Sequence, residues 1–216
     1  MNTEKNSDSN LSQTENSKKS QFKEIGKEIL IFVAIALGIV LPFRMYVAEP
    51  YLVDGISMDP TFTTGDYLIV NKFSYIKGAP ERNSVVVFKY PYDNSPKSIL
   101  ERILNKPSSP KRNFIKRIIG LPGETVIIKN NNVTIINKEN PNGFELDQSY
   151  ITHVSDGEYT RTLSPDEYFV MGDNRQNSYD SRGWGALNKK YILGKPILRL
   201  WPINEIGLFP GSIDKK

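Results

Sequence analysis

The sequence predicts a mainly β domain preceded by one N-terminal membrane-spanning helix. Three observations carry that expectation. An almost wholly apolar run extends from Ile29 to Phe43 behind a polar tail. Beyond it come short β-branched runs separated by clusters of Gly, Pro and Asn. No helical repeat appears anywhere in that later part, and 216 residues with 38% hydrophobic content suit one well-buried domain rather than two large ones.

Taken in order, residues 1–21 are dominated by Asn, Ser, Glu, Lys and Gln. They bury too little to offset the entropy of ordering, so a disordered tail is expected. Residues 22–48 are read as the anchor. With Tyr46, Val47 and Ala48 counted and Arg44 snorkelling to the headgroups, the apolar run approaches the roughly 20 residues that cross a bilayer. A cleaved signal peptide would put Tyr46 where a small residue is wanted. A buried core helix would leave the upstream Lys18, Lys19, Lys23 and Lys27 without a reason. That lysine excess places the N-terminus in the cytoplasm and residues 49–216 outside it, at the cell membrane.

The β runs are Tyr67 to Asn71, Val85 to Lys89, Phe114 to Ile119, Thr125 to Lys129, Val133 to Asn137, Glu167 to Met171 and Ile192 to Trp201. The triplet Asn130-Asn-Asn132 between two of them signals a hairpin turn, because Asn tolerates left-handed backbone. The net charge of +4 is spread among acids rather than gathered in a stripe, so no nucleic-acid partner is expected, while a lipid bilayer is. No cofactor or metal site is expected either. The oligomeric state is left open.

The inventory also excludes chemistries. There is no cysteine, so thiol catalysis, disulfides and Cys-rich zinc sites are impossible. The one histidine, His153, sits in a polar stretch with no nucleophile signature beside it and reads as a loop residue. A hydrolase built on this chain must therefore use another base.

Three segments carry candidate chemistry. In Gly55-Ile-Ser-Met-Asp-Pro-Thr61, Gly55 permits close backbone approach and Pro60 fixes a bend after Ser57, which presents a hydroxyl; alone, the segment reads equally as a turn. In Asn113-Phe-Ile-Lys-Arg-Ile-Ile-Gly-Leu-Pro-Gly-Glu124, strand alternation puts Phe114, Lys116 and Ile118 on one face and Ile115, Arg117 and Ile119 on the other. Burial among apolar neighbours would disfavour the ammonium form of Lys116 and make it a base, while an edge-strand lysine that snorkels outward is the plain alternative. Arg117, facing away, needs an acid, for which Asp173 is the first candidate. The third segment, Met171 to Gly185, is dense in Asp, Arg, Ser and Gly and reads as an irregular loop whose side chains brace its own backbone.

Together these segments resemble the type I signal peptidases, membrane serine proteases that cleave signal sequences from exported proteins. The likeness runs from the span to about Trp201. It rests on the Gly-x-Ser-Met-x-Pro-Thr box at Ser57, the Gly65-Asp-Tyr-Leu-Ile-Val-Asn-Lys72 strand, the Lys116-Arg-Ile-Ile-Gly-Leu-Pro-Gly-Glu124 box and the Gly172-Asp-Asn-Arg-x-Asn-Ser-x-Asp-Ser-Arg182 box. The resemblance implies a signal-peptidase-like β-sheet or barrel domain, a Ser-Lys dyad of Ser57 and Lys116, and signal peptides of secretory preproteins as substrates. It further implies that Ser178 hydrogen-bonds the lysine amine and that Arg117, Asp173, Arg175, Asp180 and Arg182 support rather than react.

Two departures qualify that expectation. Some members carry a serine two residues before the nucleophile as an oxyanion donor, and this chain has Gly55 there. Residues 92–112 are longer than the usual link and are expected to be an insertion. Within it Ile99, Leu100, Ile103 and Leu104 share one side of a short basic helix between Pro96 and Pro107, suited either to lipid headgroups or to capping the β core. Two other readings compete: a self-cleaving repressor, whose DNA-binding helices a membrane span replaces here, and a catalytically silent extracytoplasmic binding module, although loss of activity usually removes the nucleophile or the base and both are present.

Overall fold

The computed structural model describes residues 23–40, 48–91, 113–151 and 157–213. The expected tail at 1–21, the insertion at 92–112 and His153 lie outside the described residues. Those residues fall into two units, one before Ala48 and one from Ala48 onward. In the first, residues 23–35 are α-helical and Ala36–Val40 continue as a π-helix. Its first two turns carry Lys23, Glu24, Lys27 and Glu28, and among the described residues no helix is long and apolar enough to cross a membrane. The expected anchor ran on through 41–47, which are also outside the described residues.

The second unit is mainly β, with a curled principal sheet. Its strands are β1 (Ala48–Leu52), β2 (Tyr67–Asn71), β3 (Val85–Lys89), β4 (Asn113–Gly120), β5 (Thr125–Lys129), β6 (Asn132–Ile136), β7 (Phe144–Glu145), β8 (Tyr159–Thr162), β9 (Glu167–Met171), β10 (Leu187–Asn188), β11 (Ile192–Trp201) and β12 (Gly207–Leu208). Two single-turn helices, α1 (Ser74–Lys77) and α2 (Ser181–Trp184), interrupt them. The principal sheet runs β1-β2-β11-β3-β4-β9-β10 with β12 on β11, and a smaller sheet runs β7-β6-β5-β8.

Burial follows position in the sheets. β2, β5 and β6 alternate buried and part-buried residues, as strands with one core face do. β3, β4 and β9 are central, and the unbroken apolar runs Val85–Phe88 and Tyr168–Met171 are buried on both faces. Asn130 and Asn131 take positive φ, 49° and 67°, in a two-residue turn that pairs Lys129 with Asn132. β6 therefore starts at Asn132, one residue before the expected strand, and β4 extends one residue past the expectation at each end.

Where β4 hands over to β5, the chain turns through Leu121-Pro-Gly-Glu124. Glu124 binds this turn: its Oε2 accepts from Leu121 N at 2.8 Å and its Oε1 from Arg82 Nη2 at 2.5 Å and Asn137 Nδ2 at 3.0 Å. Burial by itself raises the Glu124 carboxyl, but these bonds outweigh it and hold the group below its ordinary range.

β11 joins the halves of the principal sheet. Its start pairs with β3 and its remainder with β2, with register shifts around Gly194 and Pro196. Proline cannot donate to a ladder, so its place beside an irregularity is expected. At Gly194 the strand passes so close to β2 that a Cβ would collide with Asn71 O. Gly194→Ala should therefore lower stability by about 1–3 kcal/mol, read by urea unfolding. An unchanged midpoint would show that the two strands separate easily.

Candidate active site

The segment between β1 and β2 carries Ser57. Gly55 adopts φ +113°, a conformation that glycine alone takes without strain, and its N donates to Thr64 Oγ1 at 3.0 Å. Phe62 N donates to Met58 O at 2.9 Å, closing the bend. Met58 and Phe62 are buried with Val53, Leu68 and Val85, with Ile115 packed against them. Ser57 is thus the part-buried residue immediately before an anchored turn, which fixes where its hydroxyl can point.

Lys116 comes from the middle of β4, paired with Val86 of β3. It is 4% exposed. Its Nζ lies 2.6 Å from Ser57 Oγ and 3.0 Å from Ile115 O, donating to both, and 5.6 Å from the Phe114 ring centroid. Burial lowers the amine from 10.5 to about 8; the charges of Asp180 and Asp173 oppose that fall, and Arg182 adds to it. A neutral amine at this distance is in reach of a hydroxyl proton, so the arrangement is chemically able to act as a base-nucleophile pair.

The next residue on the strand, Arg117, is 1% exposed and faces an acid. Its Nε donates to Asp173 Oδ1 at 2.8 Å and its Nη2 to Asp173 Oδ2 at 2.5 Å. Nη1 donates to Asn83 O and Gly211 O, both at 2.7 Å. Asp173 also accepts from Thr61 Oγ1 at 2.6 Å. One carboxylate therefore ties the lysine strand to the serine segment, in fork geometry that satisfies both buried charges.

The third box stands behind Ser57. Asn174 N donates to Ser57 O at 3.1 Å, and a Cβ on Gly172 would collide with Ser57 O and Ser178 Oγ. Asp180 accepts from Gly172 N at 3.1 Å and from Arg182 Nε and Nη2, both at 2.8 Å. Arg182 Nη2 also donates to Arg175 O at 2.6 Å, so the loop is braced across its width. Arg175 donates from Nε to Gly172 O at 3.1 Å and from Nη1 to Gln148 Oε1.

Ser178 departs from expectation. Its Oγ is buried with no hydrogen-bond partner, so it does not bond the Lys116 amine. The physical reason is that the amine is already held by Ser57 Oγ on one side and the Ile115 carbonyl on another, while Ser178 Oγ packs against Gly172. Gly55 carries no hydroxyl beside Ser57, and its φ of +113° leaves open space where a Cβ would stand.

Ser57 and Lys116 open into a cleft of about 340 Å³. Tyr51, Leu52, Ile56, Phe114, Ile115 and Tyr179 give it apolar walls, with Asn113 and Asn177 beside them. A larger hollow of about 690 Å³, around Arg82, Lys195 and Phe209, contains neither residue of the pair. Thr61, Gly172 and Asn174 also belong to the site; all three lie inside the sequence boxes, but nothing local singles them out. Gln148, which bonds Arg175, has no local motif.

A family model described as "Signal peptidase, peptidase S26" matches residues 26–201. The chain is 38% identical over 194 residues to a probable signal peptidase I-2 of Synechocystis sp., covering 89% of this chain and 79% of that one. It is 39% identical to a signal peptidase I of Leptolyngbya laminosa, covering 84% and 80%, and 37% identical to signal peptidase I P of Bacillus subtilis subsp. natto, covering 89% and 96%.

Two expected outcomes follow from the buried charges. Asp173→Ala leaves the Arg117 guanidinium buried without its acid and should cost about 3–5 kcal/mol. The double variant Arg117→Met with Asp173→Ala should lose far less than the sum of the two single losses in urea unfolding; additive losses would dissolve the clamp. For Lys116 the sign runs the other way. Below about pH 8 the folded protein holds a buried ammonium, and the shift from 10.5 to about 8 corresponds to about 3 kcal/mol. That cost fades as pH rises from about 8 to 10.5. Lys116→Met should therefore be more stable than the wild-type chain at pH 6–7, by up to about 3 kcal/mol, and lose that advantage above the window. Equal stability of the two at pH 6 would mean that the amine is not desolvated.

Proposed function

Because the chain belongs to the signal peptidase family, peptidase S26, and is a serine endopeptidase that removes signal peptides from exported proteins, we propose that Ser57 is its nucleophile and Lys116 its general base. The observation that carries this reading is the 2.6 Å contact between Lys116 Nζ and Ser57 Oγ, made by an amine that burial has lowered to about 8. The neutral amine takes the Ser57 proton as Oγ attacks the scissile carbonyl. It returns the proton to the departing amine, and then draws one from the water that hydrolyses the acyl-enzyme. No imidazole is needed, in keeping with a chain whose single histidine has no nucleophile signature beside it.

The Ser57 amide and a solvent molecule hold the oxyanion in this reading, since Gly55 offers no hydroxyl. Arg117 and Asp173 position the two reacting side chains through the bonds to Thr61 and along β4. Asp180, Arg182 and Arg175 hold the loop behind Ser57, and Ser178 fills space beneath it rather than orienting the amine. Residues 22–48 anchor the enzyme in the cell membrane with the N-terminus in the cytoplasm. Residues 49–216 meet the signal peptides of preproteins on the other side. Support for the anchor is the apolar run from Ile29 to Phe43 behind four lysines, together with exposed Leu30, Ile31 and Phe32 on the described helix.

The test is cleavage of a secretory precursor by the detergent-solubilised full chain. Ser57→Ala should be inactive. Lys116→Arg should be as slow as Lys116→Ala, at least about 10²–10⁴-fold below wild type, because a guanidinium is not deprotonated in a protein. Turnover by the arginine variant would reduce Lys116 to an electrostatic part. Only the neutral amine is active, so kcat/KM should rise with pH along a limb centred at about 8. A flat profile from pH 6 to 10 would contradict the assignment.

A further inference from the structure

The three guanidiniums around the third box are not treated alike. Arg117 is paired with Asp173 and Arg182 with Asp180. Arg175 is 4% exposed, yet among the described residues no carboxylate bonds it. Its Nε and Nη1 are taken by the neutral acceptors Gly172 O and Gln148 Oε1, and its Nη2 is buried without a partner. An arginine cannot shed its proton to relieve the cost, as a lysine can.

A cavity of about 60 Å³ adjoins this guanidinium, with Asn131, Gln148 and Arg182 as its other polar walls. Ile128, Ile151 and Met171 complete it. Asn131 Oδ1, on one of those walls, is also buried without a partner. A half-turn of the Asn131 amide presents Nδ2 in place of Oδ1. The site then offers donors from Arg175 and Asn131 beside the Asp180-paired Arg182, and among the described residues no acid lines it. Water has a liquid volume of about 30 Å³ per molecule, so the space holds about two such bodies.

We propose that this cavity binds one chloride-sized monovalent anion, which serves as the directly bonded counter-charge that no described carboxylate gives Arg175. Apolar walls and hydrogen-bond donors suit a weakly hydrated halide. The consequence reaches the catalytic loop, because Arg175 O accepts from Arg182 and the neighbouring Asn174 N holds Ser57 O. Binding the anion stabilises the segment that backs the nucleophile.

The experiment is thermal unfolding of the detergent-solubilised full chain at constant ionic strength, with sodium gluconate progressively replaced by sodium chloride. Binding predicts a saturable rise in Tm of about 3 °C. Gln148→Glu places a carboxylate on Arg175 Nη1. Its Tm in gluconate should equal or exceed that of the wild type in chloride, and its chloride response should vanish. Equal wild-type Tm in both salts would overturn the proposal and assign the cavity to water. A chloride response that survives in Gln148→Glu would overturn it too, by placing the anion elsewhere. Should that variant fail to fold, line broadening of ³⁵Cl⁻ by the wild-type chain decides. Excess broadening reversed by bromide supports the site, and none rejects it.

Discussion

Arg117 and Asp173 are both sealed from solvent, and each is gripped by groups from separate parts of the chain. Arg117 reaches Asn83 and Gly211 as well as its acid, and Asp173 reaches Thr61. Two buried charges are expensive to desolvate, and their geometry must be nearly ideal for the attraction to offset that cost. Here the fork of the guanidinium meets both carboxylate oxygens. The serine segment, β4 and the third box are thereby held in one mutual arrangement, because movement of any one would leave a charge uncovered. The position of Ser57 relative to Lys116 is a by-product of that constraint.

Adjacent residues of β4 thus meet opposite fates. Arg117 is given an acid and stays charged. Lys116, pointing the other way, is given a hydroxyl and a carbonyl but no carboxylate within hydrogen-bonding distance among the described residues. Asp173 and Asp180 act on it only through space, each engaged with its own arginine. Their pairing matters: free carboxylates at those places would favour the ammonium form more strongly. The same ion pairs that hold the site together also keep it from over-stabilising the charged lysine.

Much of this was readable beforehand, for local reasons. Strand alternation separates Lys116 from Arg117, and the cost of an unpaired guanidinium leads to Asp173. The Asn130-Asn131 turn and the β-branched runs mark most of the sheet. β1 escaped because Ala48-Glu-Pro-Tyr-Leu52 contains a proline and alternates poorly, which an edge strand paired only with β2 tolerates. β8, with Tyr159-Thr-Arg-Thr162, is nearly all polar and is a strand only because β5 offers it an edge. Ser178 shows the opposite failure. A motif names a residue but not its rotamer, and close packing of Gly172 against Ser57 decides where that hydroxyl lies. Gln148 lies 27 residues from Arg175, and only the folded chain brings them together.

The account's central claim is that the fold holds Lys116 as a weakly basic amine beside Ser57. The most direct measurement is the titration of Lys116 itself, by ¹³Cε NMR of lysine-labelled protein, with the resonance assigned by its absence in Lys116→Arg. The account predicts one lysine that titrates at about pH 8, well apart from the rest. If the resonance lost in Lys116→Arg instead titrated with the exposed lysines, at about 10.4, burial would not have prepared the amine, and the claim would fail.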